Sequence, residues 1–208
     1  MALLAEREGV GDVDRLEALL ARDEIRQLVE RYAVAVDAKD LDALAALFAE
    51  DVDNGRYGPG RDGVRTFYDN RLRLFHCSMH LVANHVIDFD DDDHATGIVY
   101  CRAQHHLLEP EHWFDLALAY FDTYERQGGA WVFRRRRTRI WYRQEIGHPE
   151  HGTERVVAAV AADGPSRGGR MPEAFPTFEP YWSRPPVPLP DGSAGRHPKL
   201  VGPPGEAG

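Results

Sequence analysis

Apolar residues return every three or four positions over residues 14–38, where Leu16, Leu19, Leu20, Ile25, Leu28, Val29, Tyr32, Ala33 and Val36 predict one long amphipathic helix. Asp40 is placed to cap a short second helix carrying Leu41, Leu44, Ala45, Leu47 and Phe48, and Asp62 to cap a third through Val64, Phe67, Tyr68 and Leu72. Between these, Gly55, Gly58, Pro59 and Gly60 enforce a turn-rich loop that holds Tyr57. After Phe75 the period shortens to two. Strands are expected over 79–89, about 95–108, 113–125 and 131–144, separated by the polar turn Asp90–Asp93, by Pro110 and by the QGG turn at 127–129. Helices first, then long strands on short connections, predict an α+β fold with N-terminal helices packed on one face of an antiparallel sheet. Strands this long must twist and curl, and a curved sheet closed by helices encloses a deep pocket without a second domain.

The pattern stops near residue 160. From Asp163 to Gly208 the chain holds 11 of its 14 prolines and 8 of its 19 glycines, which removes donors and periodicity alike. The expected organisation is an N-terminal extension over 1–13, a pocket domain over 14–150 and a Pro/Gly-rich tail over 151–208. Phe175, Phe178, Tyr181 and Trp182 give the tail an aromatic cluster able to strap it across the body or a partner subunit, or to leave a mobile recognition segment. A net charge of -9 with pI about 5.5 argues against nucleic acid or an anionic membrane as partner. No run approaches the roughly 20 apolar residues of a spanning helix, and the acidic amino end is unlike a secretory signal, so the expected compartment is cytoplasmic. Cys77 and Cys101 read as buried thiols in separate elements.

Candidate chemistry is sparse. Asp37 stands at the carboxyl end of the first helix, where the dipole disfavours a carboxylate, and is either solvated there or kept for another reason. Strand alternation puts His80, Val82, Asn84 and Val86 on one face and His85 with Ile87 on the other. A buried imidazole needs a partner, either a backbone carbonyl or a carboxylate that would fix its tautomer and keep it basic. Tyr32 lies about 140° from Asp37 around an ideal helix, so it reads as a core residue unless its hydroxyl reaches the interior. Tyr57 is a weaker candidate of the same kind. His76, His80, His85, His105 and His106 do not converge in this reading, and no zinc-type spacing occurs, so no metal is expected. The run at 134–137 splits into Arg135, Arg137 and Arg139 on the face of Phe133, and Arg134 with Arg136 on the other. These arginines pair across strands with Asp115, Asp122 or Glu125, or one of them reaches an anionic substrate group.

Three segments together resemble the SnoaL-like group of the nuclear-transport-factor-like superfamily: DEIRQLVERYAVAVDAKDLDALAALFAEDV at 23–52, MHLVANHVIDFDDDDHATGIVY at 79–100 and YFDTYERQGGAWVFRRRRTRIWY at 120–142. The resemblance implies a cone-shaped α+β barrel whose curved sheet wraps a deep apolar pocket. It also implies an acid–base pair at Asp37 and His80, as in members that eliminate water or hydrogen halide, isomerise ketones or close polyketide rings. Tyr32 matches a tyrosine that bile-acid dehydratases use beside that pair. Tyr57 is a further candidate, and Asn84, Val82, Phe48 and Phe67 are expected to line the pocket. The expected function is a cofactor-independent dehydratase acting on a cyclic or polycyclic hydroxy-ketone such as a steroid or polyketide. Alternatives are a ketone isomerase or polyketide cyclase, an epoxide hydrolase, and a non-catalytic binding or assembly protein. The scaffold implies a homodimer or homotrimer and requires no cofactor.

Overall fold

The computed structural model describes residues 12–107, 112–147, 172 and 174–190. Most of the expected N-terminal extension, Pro110 and the rest of the tail lie outside the described residues. Helix α1 spans Asp12–Asp37, α2 Leu41–Ala46 and α3 Gly60–Leu72. Strands β1 to β4 run Phe75–Phe89, His94–Leu107, His112–Gln127 and Ala130–Ile146, and a short α4 covers Phe178–Ser183. The four strands form one antiparallel sheet in the order β1-β2-β3-β4. This is the α+β architecture the periodicity predicts.

Helix α1 buries Ile25, Leu28, Val29, Tyr32 and Val36 and packs against both β1 and β4. Those are the two edge strands, so the sheet curls around the helix. The first turns differ from expectation: Leu16, Leu19 and Leu20 continue the stripe in sequence but are each more than half exposed. Asp40 caps α2 by accepting from the Ala43 N–H at 2.9 Å. The predicted cap at Asp62 is wrong. Extended Pro59 opens α3 instead, and Asp62 stands in the first turn and pairs with Arg65 at 2.8 Å. After α2 the chain pairs with the β4 edge through Ala49 N–H to Phe133 O and Phe133 N–H to Leu47 O. Gly128 and Gly129 both take positive φ (58° and 85°) in the tight β3–β4 turn, the geometry a two-residue hairpin needs.

Alternation is clean along β2, where every odd position from Ala95 to Leu107 is buried. The other strands break it. One extra residue intrudes in β1 between Val82 and His85, and in β4 register shifts fall at Phe133/Arg135 and Ile140/Tyr142. Each such bulge turns the residues beyond it to the opposite face.

Candidate active site

Ser78 and His80 stand two residues apart on β1, hence on one side, and both reach the last residue of α1. The Asp37 carboxylate accepts from Ser78 Oγ at 2.8 Å and from the His80 backbone N–H at 2.8 Å, and its Oδ1 lies 2.7 Å from His80 Nδ1. A carboxylate offers only acceptors. Nδ1 therefore carries the proton, and Nε2 keeps a lone pair able to take one. The side chains are 6% (His80) and 13% (Asp37) exposed, so the pair sits in a medium much drier than bulk water. The His105 ring packs edge-on to His80 at 5.4 Å and stacks on Phe114. Burial first, then the nearby His80, pushes the His105 imidazole well below its usual pKa. His105 is thus a neutral neighbour.

A second polar group occupies the interior around Arg136. Its guanidinium holds Asp122 through Nε at 2.9 Å and Nη2 at 2.6 Å, and both side chains are almost fully buried. Tyr32, Tyr120 and Phe133 place their rings about the cation at 4.1–4.2 Å. Burial pulls the Arg136 pKa down, but Asp122 and the flanking tyrosines outweigh it and the net shift is upward, so the cation persists. Its Nη1 is buried with no hydrogen-bond partner among the described residues. An unmet charged donor in a protein interior is costly, and a ligand oxygen or halide would satisfy it. Asp122 also accepts from Tyr124 Oη at 2.9 Å, and His85 Nε2 lies 3.1 Å from that same hydroxyl. Because Tyr124 gives its only proton to Asp122, Nε2 of His85 is the donor in that contact. Burial lowers the His85 pKa to about 4. Among the described residues no group of three His, Cys, Asp or Glu is placed to hold a metal, and no helix is long and apolar enough to cross a membrane.

A curled four-stranded sheet behind three leading helices is the architecture of a known domain. The model of the SnoaL-like domain fits residues 17–137. The chain belongs to this SnoaL-like family. Gamma-hexachlorocyclohexane dehydrochlorinase of Sphingobium indicum is 29% identical over 133 residues, covering 61% of this chain and 83% of the relative. The solved hexachlorocyclohexane dehydrochlorinase of Novosphingobium barchaimii superposes with a TM-score of 0.59 at 24% identity, over 65% of this chain and 96% of that one. A Novosphingobium aromaticivorans protein assigned by name to the scytalone dehydratases gives 0.57 at 24%, over 65% and 93%.

In this SnoaL-like protein the other sequence candidates divide. Tyr32 is buried in the interior, but its hydroxyl accepts from Tyr68 Oη at 3.2 Å and its ring faces Arg136, so it belongs to the arginine group. Burial raises its pKa and keeps it a neutral phenol. Tyr57 packs edge-on against Phe67 of α3 at 5.1 Å and takes a hydrogen bond from Arg56, while Phe67 also meets Tyr68 edge-on at 4.9 Å. Phe48 is buried against Tyr68 and Phe133, and Val82 packs on the main core. Asn84 is exposed, contrary to expectation. The β1 bulge turns it out and brings His85 to the inner face, so His80 and His85 share a side after all. Arg136 was misplaced for the same reason: the shift beyond Phe133 carries it inward beside that residue. Ser78 was missed although its spacing from His80 could have revealed it.

Proposed function

We propose that this chain is a cofactor-independent lyase that eliminates a small leaving group from a cyclic, largely apolar substrate. The observation that carries the reading is the 2.7 Å contact of the Asp37 carboxylate with His80 Nδ1 in a nearly dry setting. In this mechanism His80 Nε2 takes a proton from a carbon next to an electron-withdrawing group. The C–H electron pair becomes the new double bond, and the leaving group departs with its own pair. Asp37 orients the ring and stabilises the imidazolium. That imidazolium returns the proton to a departing hydroxide as water, or to solvent when the leaving group is halide. The free Nη1 of Arg136 suits the oxygen or halide on which negative charge grows, with the neutral Tyr32 hydroxyl beside it. The Sphingobium indicum and Novosphingobium barchaimii relatives are dehydrochlorinases, which supports elimination as the reaction type. The preferred substrate class remains a cyclic hydroxy-ketone such as a steroid or polyketide.

The test is a mass-resolved screen of hydroxy-ketone, steroid-like, polyketide-like and halogenated cyclic compounds. Loss of water or of hydrogen halide is expected. A new product of unchanged mass would establish a ketone isomerase or cyclase on the same base, and a gain of water would establish an epoxide hydrolase. Tight binding with no conversion would establish a carrier. On an accepted substrate, D37N and H80A are each expected to lower turnover by about 10²–10⁴-fold. Full turnover in both would end the proposal.

A further inference from the structure

Asp37 is followed by a turn that backbone bonds close, from the N–H groups of Ala38, Lys39 and Asp40 to Val34 O, Val36 O and Ala35 O. Lys39 takes a left-handed φ of 54°, the one such non-glycine residue among those described, at a backbone cost of roughly 1–2 kcal/mol that glycine would avoid. It is nonetheless 2% exposed. Its Nζ donates to Leu72 O and Phe75 O, each at 2.9 Å. Those carbonyls end α3 and begin β1, so one lysine side chain, its pKa lowered by burial to about 7, ties the helix end bearing Asp37 to the strand bearing His80. The C-terminal strap roofs it. Tyr181 and Trp182 of α4 lie 5.1 and 4.9 Å from Nζ, and Thr177 Oγ donates to Ala38 O at 2.7 Å, immediately after Asp37.

The strap is tied to α3 through Asp69. Asp69, fully buried, accepts from Arg184 at 3.0 Å and from the Val187 N–H at 2.6 Å, and Arg73 holds the same carboxylate at 3.1 Å. Tyr181 Oη donates to the Asp69 carbonyl at 3.1 Å. Once unroofed, the Lys39 Nζ would exchange its two carbonyl contacts for water, because a hydrated lysine gains little from neutral acceptors.

We propose that Lys39 is a positioning residue for the Asp37–His80 pair, and that docking of the strap over residues 177–187 keeps that pair assembled. This rests on the reading of the pair given above. The experiment uses the full-length protein and follows the exchange-protected downfield Nδ1 proton of His80 by NMR. The parent should show it and D37N should not; a signal unaffected by D37N would sink the reading of the pair itself, separately from the role of Lys39. K39G suits the left-handed backbone and removes only the side chain, so the fold should persist while exchange of the His80 proton quickens by about tenfold or the signal vanishes. W182A, which opens one side of the roof, should give a smaller change in the same direction and decides the matter if K39G does not fold. A folded K39G with the parental exchange rate would show that Lys39 only makes a turn, and parental exchange in W182A would show that the strap is not coupled to the pair.

Discussion

Asp37 ends α1 where the helix carbonyls oppose a carboxylate by roughly 0.3–1 kcal/mol, yet each hydrogen bond to a charged group contributes about 1.5–3 kcal/mol. Two β1 donors besides the His80 ring therefore outweigh the dipole. Removing one should be measurable: Ser78→Ala is expected to lower stability by about 1–3 kcal/mol in urea titration, with no change in slope. Buried His105 and half-buried His85 set a pH dependence. His85 has its pKa lowered to about 4 and His105 is lowered well below its usual value, both first by burial. Below pH 6.5 the unfolded chain binds protons that the folded one refuses, so stability falls as pH drops from about 6.5 towards 4. His85→Gln should flatten part of that slope in thermal melts across this range, and an unchanged slope would contradict the assignment. At this scale the sequence was legible where alternation held. It marked His80 as inward and Asp37 as oddly placed, while their contact was implied only by family resemblance. It misjudged Asn84, His85 and Arg136, because a one-residue bulge leaves no mark in the identity of its neighbours.

The elements themselves were easier to read than the faces they present. Strong period-two runs gave four strands, with ends within a few residues, whereas the start of α3 was misassigned because Pro59 opens the helix ahead of the acidic residue that looked like a cap. The pairing of β3 with β4 buries Asp122 against Arg136, and breaking such a pair strands a charge. Asp122→Ala is expected to cost about 3–5 kcal/mol by chemical denaturation. Beside it, Gly97 makes room on β2 for two side chains: a Cβ there would stand 2.9 Å from the Tyr124 ring and 3.0 Å from His85 Nε2. Gly97→Ala should therefore destabilise by about 1–3 kcal/mol, since both neighbours are pinned by Asp122 or by each other.

For the whole molecule, helices first and a meander after them were enough to fix the fold class. The tail was the least legible part, since proline-rich composition hides which residues dock. Among the described residues, Phe178 and Tyr181 are buried in it. The outer sheet face leaves Leu81, Ile98, Tyr100, Phe121, Trp141 and Tyr142 between 41% and 70% exposed, interleaved with exposed Arg102, Arg137 and Arg139, a mix of large apolar groups and arginines that suits an interface. The proposed homodimer or homotrimer would cover it. Light scattering should give a multiple of the 23.5 kDa chain mass, and Phe121→Glu with Trp141→Glu should return a monomer; a monomeric parent would dismiss the idea. The bulge that turns His85 inward has one more consequence. Among the described strands β1 is an edge of 15 residues, long enough to recruit a strand from another molecule, and its two register breaks, at Phe75/Cys77 and Val82/His85, interrupt the ladder such a strand would need. The irregularity that arranges the interior thus also guards the protein against edge-to-edge aggregation.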